Sequence, residues 1–191
     1  MRIAALGDSI TEGYLCYPQD SWVAIVAREL GVEMYNLGVC GDLTRDMRRR
    51  MRRQVLPLTP SHCLILGGAN DAFCQVALED YSENIEIIVE YCLRFDIIPI
   101  LGIPTPTLAY PEEFILQEYR AWLLEYAEKS RIAVIDFYAS LVDATGMMAR
   151  PELLLDEVHP NVEGYRAMAE KAKEVISRLK QDYLKEGSGN E

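Results

Sequence analysis

The chain has 191 residues, half of them hydrophobic, and a formal net charge of −11. This length suits one well-packed domain, and the acidic balance argues against nucleic acid as a partner, since nucleic-acid binders are usually basic. No apolar run reaches about eighteen residues, so membrane insertion is not expected. The start "MRIAALGDS" reads as a strand where a signal peptide would have charged and apolar regions, which predicts a cytoplasmic protein.

Short apolar segments bounded by Gly, Pro, Asn or Asp alternate with longer segments of helical period. The short segments are predicted to be strands buried on both faces of a parallel sheet. Parallel strands joined by helices imply right-handed crossovers and a three-layer α/β/α sandwich. We predict one domain over residues 1–184 and a polar tail over 185–191. The predicted strands cover residues 2–6, 33–37, 63–66, 97–101 and 132–137.

Three of the intervening segments have clear helical signals. "DSWVAIVARELG" offers Asp20 or Ser21 as N-cap and Gly31 as the stop. Two later segments, over residues 81–92 and 165–183, each carry an apolar stripe. In the first of them four glutamates are predicted to occupy a separate, solvent-facing stripe. The apolar stripes consist of Tyr81, Ile85, Ile88 and Cys92 in the first, and of Tyr165, Ala169, Ala172, Ile176, Leu179 and Tyr183 in the second.

The five cysteines have no CxxC spacing, which argues against a disulfide framework and against a zinc site. They are predicted to be small buried hydrophobic residues. The cysteines are Cys16, Cys40, Cys63, Cys74 and Cys92.

One basic segment, "TRDMRRRMRRQ" between Arg45 and Arg53, departs from the acidic composition. A solvated helix face is the default interpretation. The same arginines could instead hold an anionic substrate or pair with an acidic face of another subunit, which leaves a homo-oligomer as an open alternative.

Residues that can do chemistry follow the predicted strands, and in open parallel sheets ligands bind beyond the carboxyl ends of the strands. The first strand is followed by Ser9, the second by Gly41 in "NLGVCGDLT", and the third by Asn70 in "GGAND". A loop beyond the fifth strand holds Asp156 and His159 in "LLLDEVHPN". Together these turns supply a hydroxyl, a glycine amide, a carboxamide, an acid and an imidazole, which are the parts of an acyl-transfer site.

A serine hydroxyl needs a base within hydrogen-bond reach, and the base needs an orienting partner. Of the two histidines, His62 is expected at the wrong end of the sheet. The spacing of Asp156 and His159 lets the carboxylate accept from Nδ1 and leaves Nε2 facing Ser9, and Pro160 fits the start of the next helix.

The oxyanion that such an attack creates needs hydrogen-bond donors. Ser9 at a helix N-terminus offers its N–H and the helix dipole, Gly41 offers an N–H that a substrate can approach, and Asn70 offers a side-chain N–H. The alternatives are a helix cap for Ser9 and ordinary turn residues for the other two. Asp8 and Asp71 are expected to brace the loops.

The segments "GDSIT", "GVCGD", "GGAND" and "DEVHP" resemble, in order, the four conserved blocks of the SGNH (GDSL-type) hydrolases, a superfamily of esterases and lipases. The resemblance spans residues 7–160. It implies a flavodoxin-like sandwich with strand order 2-1-3-4-5 and no metal or organic cofactor. It also implies Ser9 as nucleophile, His159 as base, Asp156 as its orienting partner, and Ser9, Gly41 and Asn70 as the oxyanion hole.

The function predicted from these residues is hydrolysis of a carboxylic ester, in a small-molecule acyl ester substrate, through an acyl-enzyme on Ser9, in the manner of an esterase, lysophospholipase or thioesterase. Alternatives with the same site are an acyltransferase or a carbohydrate O-deacetylase, and a more distant one is a non-catalytic anion-binding module of flavodoxin-like fold. Five residues could line the substrate pocket or pack as ordinary core and loop residues: Leu108, Tyr110, Phe114, Met147 and Met148.

Overall fold

The computed structural model describes residues 1–188 and contains a five-stranded parallel sheet with helices on both faces. The strand order is β2-β1-β3-β4-β5, so the predicted fold class and strand order are confirmed. The strands are β1 Arg2–Gly7, β2 Glu33–Gly38, β3 His62–Leu66, β4 Ile98–Ile103 and β5 Ala133–Asp136.

The helices that follow the strands range from one turn to more than seven. A π-helical turn at Met51–Val55 follows α3. The helices are α1 Ser9–Glu12, α2 Trp22–Leu30, α3 Thr44–Arg50, α4 Ala69–Phe73, α5 Leu78–Arg94, α6 Tyr110–Ser130, α7 Tyr138–Leu141 and α8 Val162–Ser188.

Two hydrophobic cores lie on opposite faces of the sheet. Along β1 the alternate residues divide between them, so that Ile3 packs in the first core and Ala4 in the second, as the two-residue period of a strand requires. Helices α2 and α8 cover the first face, and α3, α5 and α6 cover the second. The predicted stripe of α5 is buried while its glutamates face solvent. In α8, Tyr183 is partly exposed, and its ring lies edge-on to the ring of His62 at 6.0 Å between centres.

The expectation that every strand is buried on both faces is wrong for the two edge strands. β2 is only half-buried along its length, and its first residue, Glu33, is exposed. In β5 only Ile135 is fully buried. An edge strand has one neighbour and lies at the margin of the helical layers, so its side chains keep partial contact with water.

The predicted strand bounds shift by one or two residues where a neighbouring element competes. Residue 132 lies between α6 and β5, because the Ile132 N–H donates to Ala127 O of the last helical turn at 2.9 Å. At the other end, β4 continues past 101 because Gly102 and Ile103 pair with β5. His62 is not before the third strand but is its first residue, paired with Ile3.

The caps follow the sequence with two refinements. Ser21, not Asp20, caps α2 by accepting from Ala24 N at 3.2 Å, and Gly31 ends it with φ +58°. Pro160 does not begin α8 as predicted. It forms an isolated bridge with Leu154, and the Asn161 side chain accepts from the Gly164 N–H at 3.0 Å at the start of the helix.

Within the described residues, α8 runs through Ser188, so the first part of the predicted tail is helical, and residues 189–191 lie outside the described residues. None of the described helices has the length and apolar character that crossing a bilayer requires. Cys63 and Cys92 are buried as predicted, whereas Cys40 and Cys74 are exposed because they lie in turns at the end of β2 and α4.

Candidate active site

Ser9, His159 and Asp156 form a continuous hydrogen-bonded relay at the carboxyl edge of the sheet. Ser9 Oγ lies 3.0 Å from His159 Nε2, and His159 Nδ1 lies 2.8 Å from Asp156 Oδ2. Ser9 is buried at 4% exposure, although 150 residues separate it from the histidine. The structure therefore brings together all three residues that were predicted as nucleophile, base and orienting partner.

The loop that carries the acid and the base is closed by its own hydrogen bonds. Asp156 Oδ1 accepts from the N–H groups of Val158 at 2.8 Å and His159 at 2.7 Å, and Leu155 N donates to His159 O at 2.8 Å. Burial opposes ionisation of Asp156, but these donors and the imidazole outweigh it, so the pKa of Asp156 is lowered. The centre of the Tyr14 ring lies 4.8 Å from the centre of the imidazole ring, so the tyrosine packs against the base.

Asp8, not Ser9, is the cap of the first helix. Its Oδ1 accepts from the Ile10 N–H at 2.9 Å, and Ser9 is the first helical residue. Helix α1 has four residues, so the contribution expected from its dipole is smaller than a full helix would provide. Burial raises the pKa of Asp8 to about 7, against the lowering effect of the Ile10 N–H, and the charge of Asp71 adds to the rise.

The predicted oxyanion donors follow β1, β2 and β3. Ser9 begins α1, Gly41 lies in a turn, and Asn70 is the second residue of α4. Gly41 has φ +83°, and a Cβ at this position would meet nothing, so its backbone is open to a ligand. Among hydrogen bonds between described residues, none uses the Ser9 or Gly41 N–H as donor. Asn70 Nδ2 donates to Asp42 O at 3.0 Å, which ties the third turn to the second and leaves one side-chain hydrogen for another acceptor.

Arg50 is a structural residue of the site that the sequence did not single out. Its Nε lies 2.6 Å from Asp42 Oδ2, and its Nη2 donates to Gly7 O at 2.7 Å. It therefore joins the turns after β1 and β2. Arg45 and Arg49 of the same run are exposed, as predicted for a solvated face. Nothing in a run of arginines marks the one that turns inward.

Asp71, which follows β3, braces the start of α3, as expected of an acid that accepts hydrogen bonds from nearby amides. It is 1% exposed and accepts from Thr44 Oγ1 at 2.6 Å and from Thr44 N. Burial raises the pKa of Asp71 although the Thr44 donors lower it. Among the described residues, no group of three or more His, Cys, Asp and Glu side chains is placed to hold a metal ion.

The five residues predicted either to line a substrate pocket or to pack as core lie around one cavity. Its volume is about 140 Å³. Tyr110, Phe114 and Met147 are more than 60% exposed, so they are not core residues, and whether they line a substrate pocket or are ordinary loop residues stays a prediction. The cavity is lined by Leu108, Tyr110, Phe114, Met147 and Met148, together with Thr107, Glu113, Gln117 and Ala149.

Residues 5–167 match the model of the GDSL-like Lipase/Acylhydrolase family. The chain is 25% identical to the acetylxylan esterase of Geobacillus stearothermophilus, over 88% of this chain and 90% of that protein. Its structure is similar to that of a protein assigned to the G-D-S-L lipolytic family from Desulfitobacterium hafniense, with 33% identity, 91% and 98% coverage and a TM-score of 0.84. It is also similar to the lipase/acylhydrolase from Enterococcus faecalis, with 27% identity, 93% and 96% coverage and a TM-score of 0.80.

Proposed function

This chain belongs to the GDSL-like lipase/acylhydrolase family of carboxylic ester hydrolases, and we propose that it acts through an acyl-enzyme on Ser9. The observation that carries the proposal is the relay from Ser9 Oγ to His159 Nε2 at 3.0 Å and from His159 Nδ1 to Asp156 Oδ2 at 2.8 Å. Each contact is within the reach that proton transfer between heavy atoms requires.

In the first step, Ser9 Oγ attacks the ester carbonyl carbon as its proton passes to His159 Nε2. The Asp156 carboxylate stabilises the imidazolium and keeps Nδ1 protonated. The N–H groups of Ser9 and Gly41 and the Nδ2 of Asn70 receive the oxyanion. His159 then gives its proton to the leaving alcohol as the carbon–oxygen bond breaks, and water, deprotonated by the same imidazole, releases the acid and regenerates Ser9.

A fluorophosphonate probe and p-nitrophenyl acetate test this role for Ser9. We expect wild-type protein to be labelled and active, and Ser9→Ala to lose both the label and the activity. Asp156→Asn should reduce kcat by about 10³-fold or more. Two backbone N–H groups hold Oδ1 of residue 156, so the asparagine would turn its NH₂ toward His159 Nδ1 and could not accept the hydrogen bond that orients the imidazole. Labelling of Ser9→Ala equal to that of the wild type would refute the proposal.

A second candidate is removal of acetyl groups from a carbohydrate. It is supported by the similarity to an acetylxylan esterase and by the small cavity with exposed aromatic rings of Tyr110 and Phe114. Aromatic faces provide large apolar contact areas at low entropy cost, which suits the apolar face of a sugar ring. Deacetylation predicts a higher kcat/KM for acetylated xylo-oligosaccharides than for p-nitrophenyl esters of any chain length.

Variants distinguish this candidate from a general esterase. Phe114→Ser should raise KM for the acetylated oligosaccharide and leave p-nitrophenyl acetate hydrolysis within about twofold. Phe95→Ser is the matched control, because Phe95 is an exposed aromatic residue at the other end of the sheet. This variant should leave KM for the oligosaccharide unchanged. A preference that rises with acyl chain length would favour a lipase-like substrate, and ester products formed when alcohols are added would favour acyl transfer.

A further inference from the structure

We propose that the largely buried ion pair between Arg120 and Glu113, acting through Thr107, positions the loop of Asp156 and His159 for catalysis. Arg120, Glu113 and Thr107 would thus be positioning residues that do not touch the substrate's reacting atoms. The inference rests on the proposed function of that loop.

The ion pair is largely shielded from solvent, and both of its side chains have further partners. The Arg120 side chain is 7% exposed and that of Glu113 is 14% exposed. Arg120 Nη2 bonds to Glu113 Oε1, and Nη1 donates to Thr105 O at 3.2 Å and to Pro104 O at 3.4 Å. The guanidinium also lies 4.3 Å from the centre of the Tyr138 ring. Arg120 therefore anchors the segment that follows β4.

Glu113 connects Arg120 to Thr107 through its two carboxylate oxygens. While Oε1 pairs with Arg120, Oε2 accepts from the Thr107 N–H at 2.9 Å. A carboxylate held on both oxygens fixes the orientation of the donor that it receives, and charged partners make these hydrogen bonds stronger than neutral ones. The backbone of Thr107 is thus held by the side chain of a helix residue.

Thr107 in turn holds the catalytic loop. Thr107 Oγ1 donates to Glu157 O at 2.7 Å, and the next residue, Leu108, donates its N–H to the same carbonyl at 2.8 Å. Glu157 directly follows Asp156 and comes two residues before His159. Because the Asp156 side chain is 46% exposed, this outside anchor on Glu157 restrains a loop with an exposed carboxylate.

A general argument favours a role in geometry. Replacing a buried ion pair by apolar residues of similar volume is often neutral or stabilising, so stability alone is a weak reason for this pair. An error of about 1 Å in the position of a catalytic group can cost about 100-fold in rate. The continuous path from Arg120 to Glu157 gives the pair a means of limiting such errors.

Thr107→Val tests the last link because it removes the hydroxyl and keeps the branched side chain and the N–H to Glu113. We expect kcat for p-nitrophenyl acetate to fall about 10- to 100-fold with KM changed less than about threefold, and Thr107→Ser to restore kcat to within about threefold of the wild type. Glu113→Gln should lower kcat in the same way. Two control variants should leave kcat unchanged. Ser82→Ala removes a hydroxyl that donates to a backbone carbonyl elsewhere, and Lys129→Gln removes an exposed ion pair on α6.

Amide hydrogen exchange measured by NMR provides a readout that does not depend on turnover. Thr107→Val should accelerate exchange of the Val158 and His159 N–H groups more than that of the sheet. Unchanged kcat and unchanged exchange in Thr107→Val and Glu113→Gln, with only a lower Tm, would overturn the proposal. If wild-type protein neither reacts with the fluorophosphonate nor hydrolyses esters, the proposed function fails, and the exchange rates still decide whether Thr107 holds the loop.

Discussion

Replacement of Asp8 by asparagine is expected to stabilise the protein at neutral pH. Asp8 is 1% exposed, and burial raises its pKa from the ordinary 3.8 to about 7, against the lowering effect of the Ile10 N–H. Asparagine is neutral at every pH, and its Oδ1 can still accept from Ile10 N, which Asp8 Oδ1 binds at 2.9 Å. The variant thus removes the cost of burying a charge and keeps the helix cap.

The pH dependence follows from where each state releases its proton. Below about pH 4, Asp8 is protonated in both the folded and the unfolded chain, so it contributes nothing. Between about pH 4 and 7 the unfolded chain loses the proton and the folded protein keeps it, so the free energy of unfolding falls as the pH rises. Above about pH 7 Asp8 is ionised in both states, and the free energy of unfolding changes no further. Each pH unit between 3.8 and about 7 lowers it by about 1.36 kcal/mol, so the total decrease is about 4 kcal/mol.

Urea unfolding followed by circular dichroism at pH 4 and pH 8 measures this effect. Asp8→Asn should exceed the wild type in unfolding free energy by about 4 kcal/mol at pH 8 and by less than about 1 kcal/mol at pH 4. Glu125→Gln is the control, because Glu125 is exposed and its pKa is lowered by Lys129, so it should show no gain. A difference between Asp8→Asn and wild type that does not change with pH would refute the reasoning.

Three further predictions concern other parts of the fold and the site. Burial lowers the pKa of His62 from 6.5 to about 4. As the pH falls over this range the unfolded chain binds a proton at the histidine and the folded protein does not, so the free energy of unfolding falls. In urea unfolding measured at several pH values, His62→Gln should reduce that fall by about 3 kcal/mol. Asn70→Ala removes one proposed oxyanion donor and should lower kcat for p-nitrophenyl acetate by about 10²- to 10³-fold with little change in KM; an unchanged kcat would exclude that role. Gly38→Ala places a Cβ against the backbone N of Glu12 and should lower the unfolding free energy by more than about 2 kcal/mol. The Cβ of Gly41→Ala meets only open space, so this variant should lower the unfolding free energy by about 1 kcal/mol, from its positive φ; equal losses would contradict this difference.

The placement of the site could be predicted because it depends on local signals and on one topological rule. Hydrophobic period and turn residues locate the strands within one or two residues, and parallel strands end at one edge of the sheet. Ser9 and His159, 150 residues apart, are therefore brought to the same edge. A cytoplasmic location, the exclusion of nucleic acid and the alternative of a homo-oligomer stay predictions, because they rest on composition and on the start of the chain.

The amino-acid sequence by itself determined the order of the elements, the α/β/α layers and the turns that hold the hydroxyl, imidazole and carboxylate. Only the tertiary structure decided that Asp8 and not Ser9 caps α1 and that β2 is half-exposed. It also decided that Arg120 is buried and Arg50 turns inward, while Arg49 faces solvent. The physical reason is that periodicity and turn chemistry are local properties of the chain. Burial and ion pairing depend on partners distant in sequence, such as the Gly7 carbonyl that Arg50 reaches across 43 residues.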